Sequence, residues 1–367
     1  GDTDFYSRIL AAVHYKEHLS TEDVALLVTS LKAMTGAVSS IDIVHHRTLL
    51  KTIFDMSLWN YETDVIDALL EFIVSLASSS GKYVDLCLDM LVINFVPPAT
   101  LPSASYFLEF LKKPQGMAKK NLVLDRVHST LKDIANVVPL SPLRLEKIVR
   151  SRMPNIYTKE VILSMYVENM LRLESGMMGK LVGHMVIVAV MDRLVDLDVE
   201  LPWDEILQED FSKGIFDMEL EDFDGQADDA MQDGTELTRE ALLQRFFSGN
   251  LVAEKLDSLM VLTFEHLLAC FKDGRLSQVF ETLLQSFQKT ILTAYKSKFA
   301  QFVIFYACSL DPEGCGEAFA NTLLNLFMSC ANPEWRMSAV AYLASYLARA
   351  KFLSVSFVAS ILERLVD

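Results

Sequence analysis

Apolar residues recur along this chain at the three- and four-residue spacing of amphipathic helices, and almost nowhere in the alternation of strands. The clearest such stretch runs from Asn332 to Phe352. Asn332 suits an N-cap, Pro333 the first helical position, and Glu334 the positive end of the helix dipole. Met337, Val340, Ala341, Ala344 and Ala348 form one stripe; Trp335, Ala339, Tyr342 and Tyr346 form a second beside it. Two stripes, rich in small residues, predict an inner helix that packs on more than one neighbour.

The same periodicity predicts helices from Phe5 to Leu19, from Ser20 as a cap with Asp23 closing the capping box, and then over Ile43–Met56, Tyr61–Leu76 and Tyr83–Phe95. Pro97, Pro98, Pro102 and Pro114 mark residues 97–120 as an exposed insertion, after which Leu122–Val138 resumes the helical period. Ser141-Pro142 opens Leu143–Arg150, with Ser141 read as its N-cap. Thr158–Leu173 follows, and Met177–Leu197 is apolar nearly all round. Beyond residue 240 the expected helices are Leu242–Phe247, Val252–Phe271, Leu276–Leu292, Lys298–Ser309, Gly316–Cys330, Pro333–Ala350 and Ser356–Val366. Grouped as antiparallel hairpins they recur every roughly 40 residues, the period of HEAT and armadillo arrays. The fold class expected is therefore all-α, a HEAT/armadillo-like superhelix stacked from antiparallel helix pairs. Repeats are expected over 1–201 and again over 241–367, with 202–240 as a largely disordered linker.

Charge sharpens that division. The net charge is −16, yet 14 of the 49 acidic residues, against only Lys213 and Arg239, fall between Asp204 and Glu240. The rest is only mildly acidic, and no basic stripe offers phosphate neutralisation, so direct sequence-specific nucleic-acid binding is not expected. The longest apolar run, Leu181–Met191, is too short to span a bilayer, and Gly1–Asp4 lacks the pattern of a signal sequence. Neither a membrane nor a secretory role is expected. Five scattered cysteines without a C-x-x-C pair read as buried thiols in a reducing compartment.

Candidate chemistry is sparse. His14, Glu17 and His18 fit H-x-x-E-H, the inverted zinc-peptidase pattern, but with no evident third ligand they read as an exposed helix face. Asp229 to Glu240 follows a calcium loop only in part, since Met231 stands at a ligand position. No phosphate-cradling glycine motif and no G-x-S-x-G occurs, and Cys315 has no nearby histidine. No enzyme, cofactor or metal is expected. Lys112, Lys113, Lys119 and Lys120 read as a solvated rim rather than a binding patch. Ser141-Pro142 fits a proline-directed phosphosite as well as a helix start.

Several blocks taken in order resemble the RNA polymerase I-specific transcription initiation factor family, that of transcription initiation factor IA. They are N-F-V-P-P at 94–98, Y-V-E-N-M-L-R at 166–172, I-F-D-M-E at 215–219, A-E-K-L-D at 253–257, Q-F-V-I-F-Y at 301–306, E-A-F at 317–319 and S-Y-L-A-R-A-K-F at 345–352. The resemblance implies a non-catalytic, nuclear and nucleolar adaptor. Such a protein binds RNA polymerase I subunits and links them to the promoter-bound core factor, and kinases and phosphatases acting on surface serines control the encounter. It carries a promoter-factor contact onto Leu347, Ala348, Arg349, Ala350 and Lys351. Of these, Leu347 and Ala348 read as packing residues, and Arg349 and Lys351 as the charges a partner would meet. Ser129, Thr130, Ser141 and Ser151 are the corresponding regulatory or polymerase-binding candidates. The acidic insertion that some members carry after the V-P-P block is here a proline- and lysine-bearing segment, and the family continues beyond the equivalent of Asp367. The helical array alone also suits another scaffold, such as a nuclear transport receptor.

Overall fold

A computed structural model describes residues 7, 20–98, 109–201, 239–294 and 297–366, with 239–250 as backbone only. The helix expected over Phe5–Leu19 (apart from Ser7), the H-x-x-E-H motif, the calcium-like loop, the block at 215–219, most of the acidic linker and residues 99–108 of the insertion lie outside the described residues. Among the described residues all regular structure is helical.

The chain divides into two compact units, residues 1–191 with 265–284, and residues 192–264 with 285–367. The first is built on α1 (Thr21–Gly36), α2 (Arg47–Phe54), α3 (Thr63–Ser79), α4 (Val84–Ile93), α5 (Pro114–Val137), α6 (Ser141–Arg152), α7 (Glu160–Ser175) and the start of α8 (Gly179–Glu200). The capping box forms at α1: Asp23 N donates to Ser20 Oγ at 3.1 Å and Ser20 N to Asp23 Oδ2 at 3.2 Å. α1 packs on α3, α3 on α4 and α5, and α4 on α6. The core is aliphatic, with Val65, Ile66, Leu69, Phe72, Ile73 and Leu76 of α3 all buried.

Two amides secure this core. Asn94 follows α4; its Oδ1 accepts from Leu58 N at 2.9 Å, its Nδ2 donates to Met90 O at 2.8 Å, and its own carbonyl accepts from Trp59 Nε1 at 3.1 Å. Asn169 of α7 donates through Nδ2 to Met165 O and Phe95 O, which turns its Oδ1 toward His128 Nε2, 2.8 Å away. His128 is therefore the Nε2–H tautomer, stacked on the Phe95 ring at 5.4 Å. Phe95 also meets Tyr166, so the blocks at 94–98 and 166–172, far apart in the chain, share one packing site. Cross-helix pairs such as Arg152–Asp89 and Arg172–Asp125 lie at the surface, where each contributes at most about 1 kcal/mol.

The second unit contains part of α9 (Arg239–Lys272), the end of α10 (Leu276–Ser286) with a π-helical turn at Phe287–Ile291, α11 (Gln301–Leu310), a second π turn at Pro312–Gly316, α12 (Glu317–Ser329), α13 (Pro333–Arg349) and α14 (Val355–Val366). α12 packs on both α13 and α14. Asp198, fully buried, leads the chain into α11 from outside: its Oδ2 accepts from Ser297 Oγ and from the backbone N–H groups of Lys298, Phe299 and Ala300, at 2.7–3.0 Å. Free N–H groups at a helix start are where a buried carboxylate is best tolerated.

Four expectations change. α5 starts at Pro114 rather than Leu122, because proline at a first helical position begins a helix as readily as it ends one. Lys119 within it reaches Tyr61 O, and Lys120 pairs with Glu168 at 2.6 Å. α9 runs unbroken through Ser248-Gly249-Asn250, a cost of about 1 kcal/mol for the glycine that a long helix absorbs. Ser141 is no cap; it is the first residue of α6, and no side chain caps the preceding Leu140 position. α13 is capped by Asn332 Oδ1 on Glu334 N at 2.9 Å as expected, but it is not an inner helix. Only Ala339, Leu343 and Tyr346 are buried, while Met337 is 66% exposed and Ala341, Ala344 and Ala348 face outward. Alanine counts as apolar in a periodicity yet removes too little surface from water to dictate a buried face.

Asn94→Ala leaves the buried Leu58 N–H without its acceptor and is expected to destabilise the first unit by about 2 kcal/mol. Urea unfolding followed by Trp59 fluorescence measures it, and an unchanged midpoint refutes the anchoring role. Burial drives the His128 pKa down from its ordinary 6.5 to about 4. Between these values the unfolded chain takes up a proton that the folded chain refuses, so stability falls as the pH drops from 6.5 to 4. His128→Gln retains a donor to Asn169 and is expected to flatten this dependence in thermal melts across that window.

Candidate partner-binding surface

The site begins with Tyr346. Its ring is fully buried, 5.0 Å from both the Phe305 and Phe319 rings and 6.1 Å from Phe352, and its hydroxyl donates to Gly316 O at 3.2 Å. Gly316 belongs to the second π turn, and a Cβ there would stand 3.2 Å from that hydroxyl. Close aromatic packing and a satisfied hydroxyl give the last turn of α13 one fixed orientation. Ala350 N bonds to Tyr346 O at 2.8 Å as the helix closes, and Ala350 and Leu353 are buried beneath it.

The five predicted contact residues are contiguous in sequence but face different ways. Arg349 and Lys351 are exposed, as expected. The roles of the small residues differ from expectation: Ala350 is the packing residue, Ala348 is exposed, and Leu347 is half-buried. The cause is the helix end itself. Residue 350 leaves helical geometry at φ −78°, ψ 65°, and the chain turns its methyl inward. Arg349 folds back along the helix, Nη1 donating to Ser345 O at 3.1 Å and to Ser345 Oγ at 2.9 Å.

Ser345 also borders a cleft of about 620 Å³ beside α13, lined by Thr293, Ser297, Gln301, Glu334, Ser338 and Tyr342 among others. Gln301 Oε1 is buried without a hydrogen-bond partner. Hydroxyls, a carboxamide and a carboxylate at the rim make this a polar recess next to a cationic turn. Nothing in the periodicity marked it, because its lining comes from the segment leading into α11 and from α13, which are distant in the chain.

The serine and threonine candidates lie in the first unit on α5 and α6, which pack as neighbours. Ser129 and Ser151 are exposed, and Ser151 Oγ donates to Ile148 O at 2.9 Å. Thr130 and Ser141 are buried, at 5% and 2% exposure, and Thr130 Oγ1 donates to Arg126 O. Cys315 is also buried, and burial pushes its thiol up to about 12, the reverse of what a nucleophile needs. Among the described residues no helix is long and apolar enough to cross a membrane.

Comparison with known proteins gives these surfaces a context. The family described as RNA polymerase I specific transcription initiation factor RRN3 matches residues 1–367. The RNA polymerase I-specific transcription initiation factor RRN3 of Mus musculus is 25% identical over 338 residues, covering 87% of this chain and 49% of its own length. The factor rrn3 of Schizosaccharomyces pombe is 23% identical over 364 residues, covering 92% of this chain and 55% of its own. The chain thus spans about half the length of the curated relatives it matches. A solved structure, the crystal structure of RNA polymerase I transcription initiation factor Rrn3, superposes with a TM-score of 0.71 at 20% identity, over 97% of this chain and 64% of that one. That likeness establishes the all-α helical-repeat fold that the helix periodicity predicted. With the family matched from residue 1 to residue 367, this chain belongs to the family of RNA polymerase I-specific transcription initiation factor RRN3.

Proposed function

We propose that this chain acts as a non-catalytic adaptor that binds RNA polymerase I and joins it to the promoter-bound core factor at ribosomal RNA genes, in the nucleus and nucleolus. The family and the names of its relatives support the polymerase; the core-factor contact rests on the last turn of α13. The observation that carries it is the pairing of a rigid base, Tyr346 and Ala350, with outward cations, Arg349 and Lys351. A charge held on an immobile helix end loses little freedom on binding and can select an acidic partner.

Regulation by kinases and phosphatases falls, on this reading, to Ser129 and Ser151, whose hydroxyls stand at the surface. Phosphate at either adds about two negative charges without disturbing the core. Thr130 and Ser141 are accessible to a kinase only when α5 or α6 opens, so modification there would report on folding first.

Arg349→Glu with Lys351→Glu is expected to weaken core-factor binding roughly tenfold while leaving the circular dichroism spectrum and polymerase binding intact. Full affinity in the double variant removes this turn from the interface. Ser129→Glu and Ser151→Glu are expected to reduce polymerase capture in pull-downs at unchanged Tm. Ser141→Glu buries a charge and is expected to lower Tm by roughly 5 °C. Unaltered capture by both surface variants would discard the switch.

A further inference from the structure

Within the first unit, three side chains that share no sequence motif meet at a point. Glu174 lies in the last turn of α7, and His266 and Cys270 stand one turn apart on α9. All three are buried. Glu174 Oε2 is 2.9 Å from His266 Nε2, and Cys270 Sγ is 3.5 Å from that nitrogen and 4.0 Å from that oxygen. A tetrahedral zinc ion, bonded at about 2.0–2.1 Å to nitrogen or oxygen and about 2.3 Å to sulfur, separates its ligand atoms by about 3.3–3.6 Å. The triangle drawn by these atoms is of that size, to within about half an ångström.

One hydrogen bond accounts for the 2.9 Å contact of His266 with Glu174, but not for the sulfur that lies beside both. Nε2 of a neutral imidazole carries at most one proton, yet it faces both a carboxylate oxygen and a sulfur. The sulfur in turn lies at the outer limit of contact with the carboxylate. Only Arg275 brings protons that its chemistry fixes, and it approaches from outside the triangle. Its Nη1 donates to Glu174 Oε1, the oxygen turned away from His266, at 2.8 Å, and its Nη2 donates to Cys270 Sγ at 3.3 Å. Donors on the far oxygen of a carboxylate and on a thiolate are how an outer shell orients metal ligands. Gly183 lets α8 pass close to Glu174, where a Cβ would press to 3.2 Å from its Cγ and 3.6 Å from Oε1.

We infer that Glu174 Oε2, His266 Nε2 and Cys270 Sγ bind a zinc-class divalent cation, with Arg275 as its outer-shell partner and a water in the fourth position. Binding replaces the Cys270 thiol proton, which passes to solvent, so the ligands contribute two negative charges against the ion's two positive ones. The ion joins α7 to α9 across 96 residues of sequence. Its role is to hold the first unit together, and it is independent of the adaptor reading.

The test is cobalt and zinc titration of the full chain after stripping with EDTA and removal of any metal-binding tag. One equivalent of cobalt is expected to produce a thiolate-to-metal charge-transfer band, which His14 and His18, lacking a thiol, cannot produce. Zinc is expected to displace the cobalt and to raise Tm. Cys270→Ser should abolish the band and the zinc-dependent rise in Tm, whereas Cys330→Ser should keep both. A second readout needs no variant: in the wild-type chain at low denaturant, zinc should slow alkylation of Cys270 and leave that of Cys330 unchanged. Absence of the band in the wild type, its persistence in Cys270→Ser, or equal alkylation rates with and without zinc would each overturn the site.

Discussion

The seating of Tyr346 is the contact on which the candidate surface depends. One aromatic side chain ties α11, α12 and the segment after α13 into a single packing site, and its hydroxyl uses a carbonyl that only the π turn at Pro312–Gly316 presents. A π turn places one extra residue in a helical turn and so re-aims its backbone groups. The geometry of Arg349 and Lys351 therefore descends from the packing of Tyr346, three and five residues earlier, not from the charges themselves. An exposed arginine on a loose helix end would carry the same charge and far less specificity.

The same division of labour recurs across the molecule. Among the buried polar groups, Asn94, Asn169 and Asp198 each take several hydrogen bonds, although Asp198 Oδ1 has no partner. Ion pairs such as Arg126–Asp67, Arg152–Asp89 and Arg172–Asp125 sit at the surface, where solvent screening makes them weak, whereas Glu174 meets His266 and Arg275 from a buried position. Apolar burial supplies the stability, and the amides choose among alternative packings, because an unpaired amide in the core costs more than a paired one contributes. The blocks at 94–98 and 166–172 are the two halves of one hydrogen-bonded contact around Phe95 and His128.

Family membership and local geometry constrain regulation in different ways. The family supplies the partner, RNA polymerase I, as a proposal for a chain about half as long as its curated relatives. The geometry separates hydroxyls that look alike in the sequence. Ser129 and Thr130 are adjacent, yet one faces solvent and the other bonds Arg126 O inside α5. A helix turns each successive residue by about 100°, so neighbours in sequence rarely share an environment.

By itself the sequence determined what local chemistry determines. The three- and four-residue spacing yielded the helices, Ser20 with Asp23 and Asn332 with Pro333 yielded their starts, and the ordered blocks yielded the family. The i, i+4 pairing of His266 and Cys270, with Arg275 five residues further on, was equally readable, but their partner Glu174 was not, since nothing local connects positions 96 residues apart. Tertiary structure alone decided which apolar stripe of α13 is covered, that Ala350 rather than Ala348 packs, and that Ser141 is sealed while Ser151 is open. The reason is physical: periodicity reports which faces of a helix could be buried, and only the neighbours that the fold supplies select the face that is.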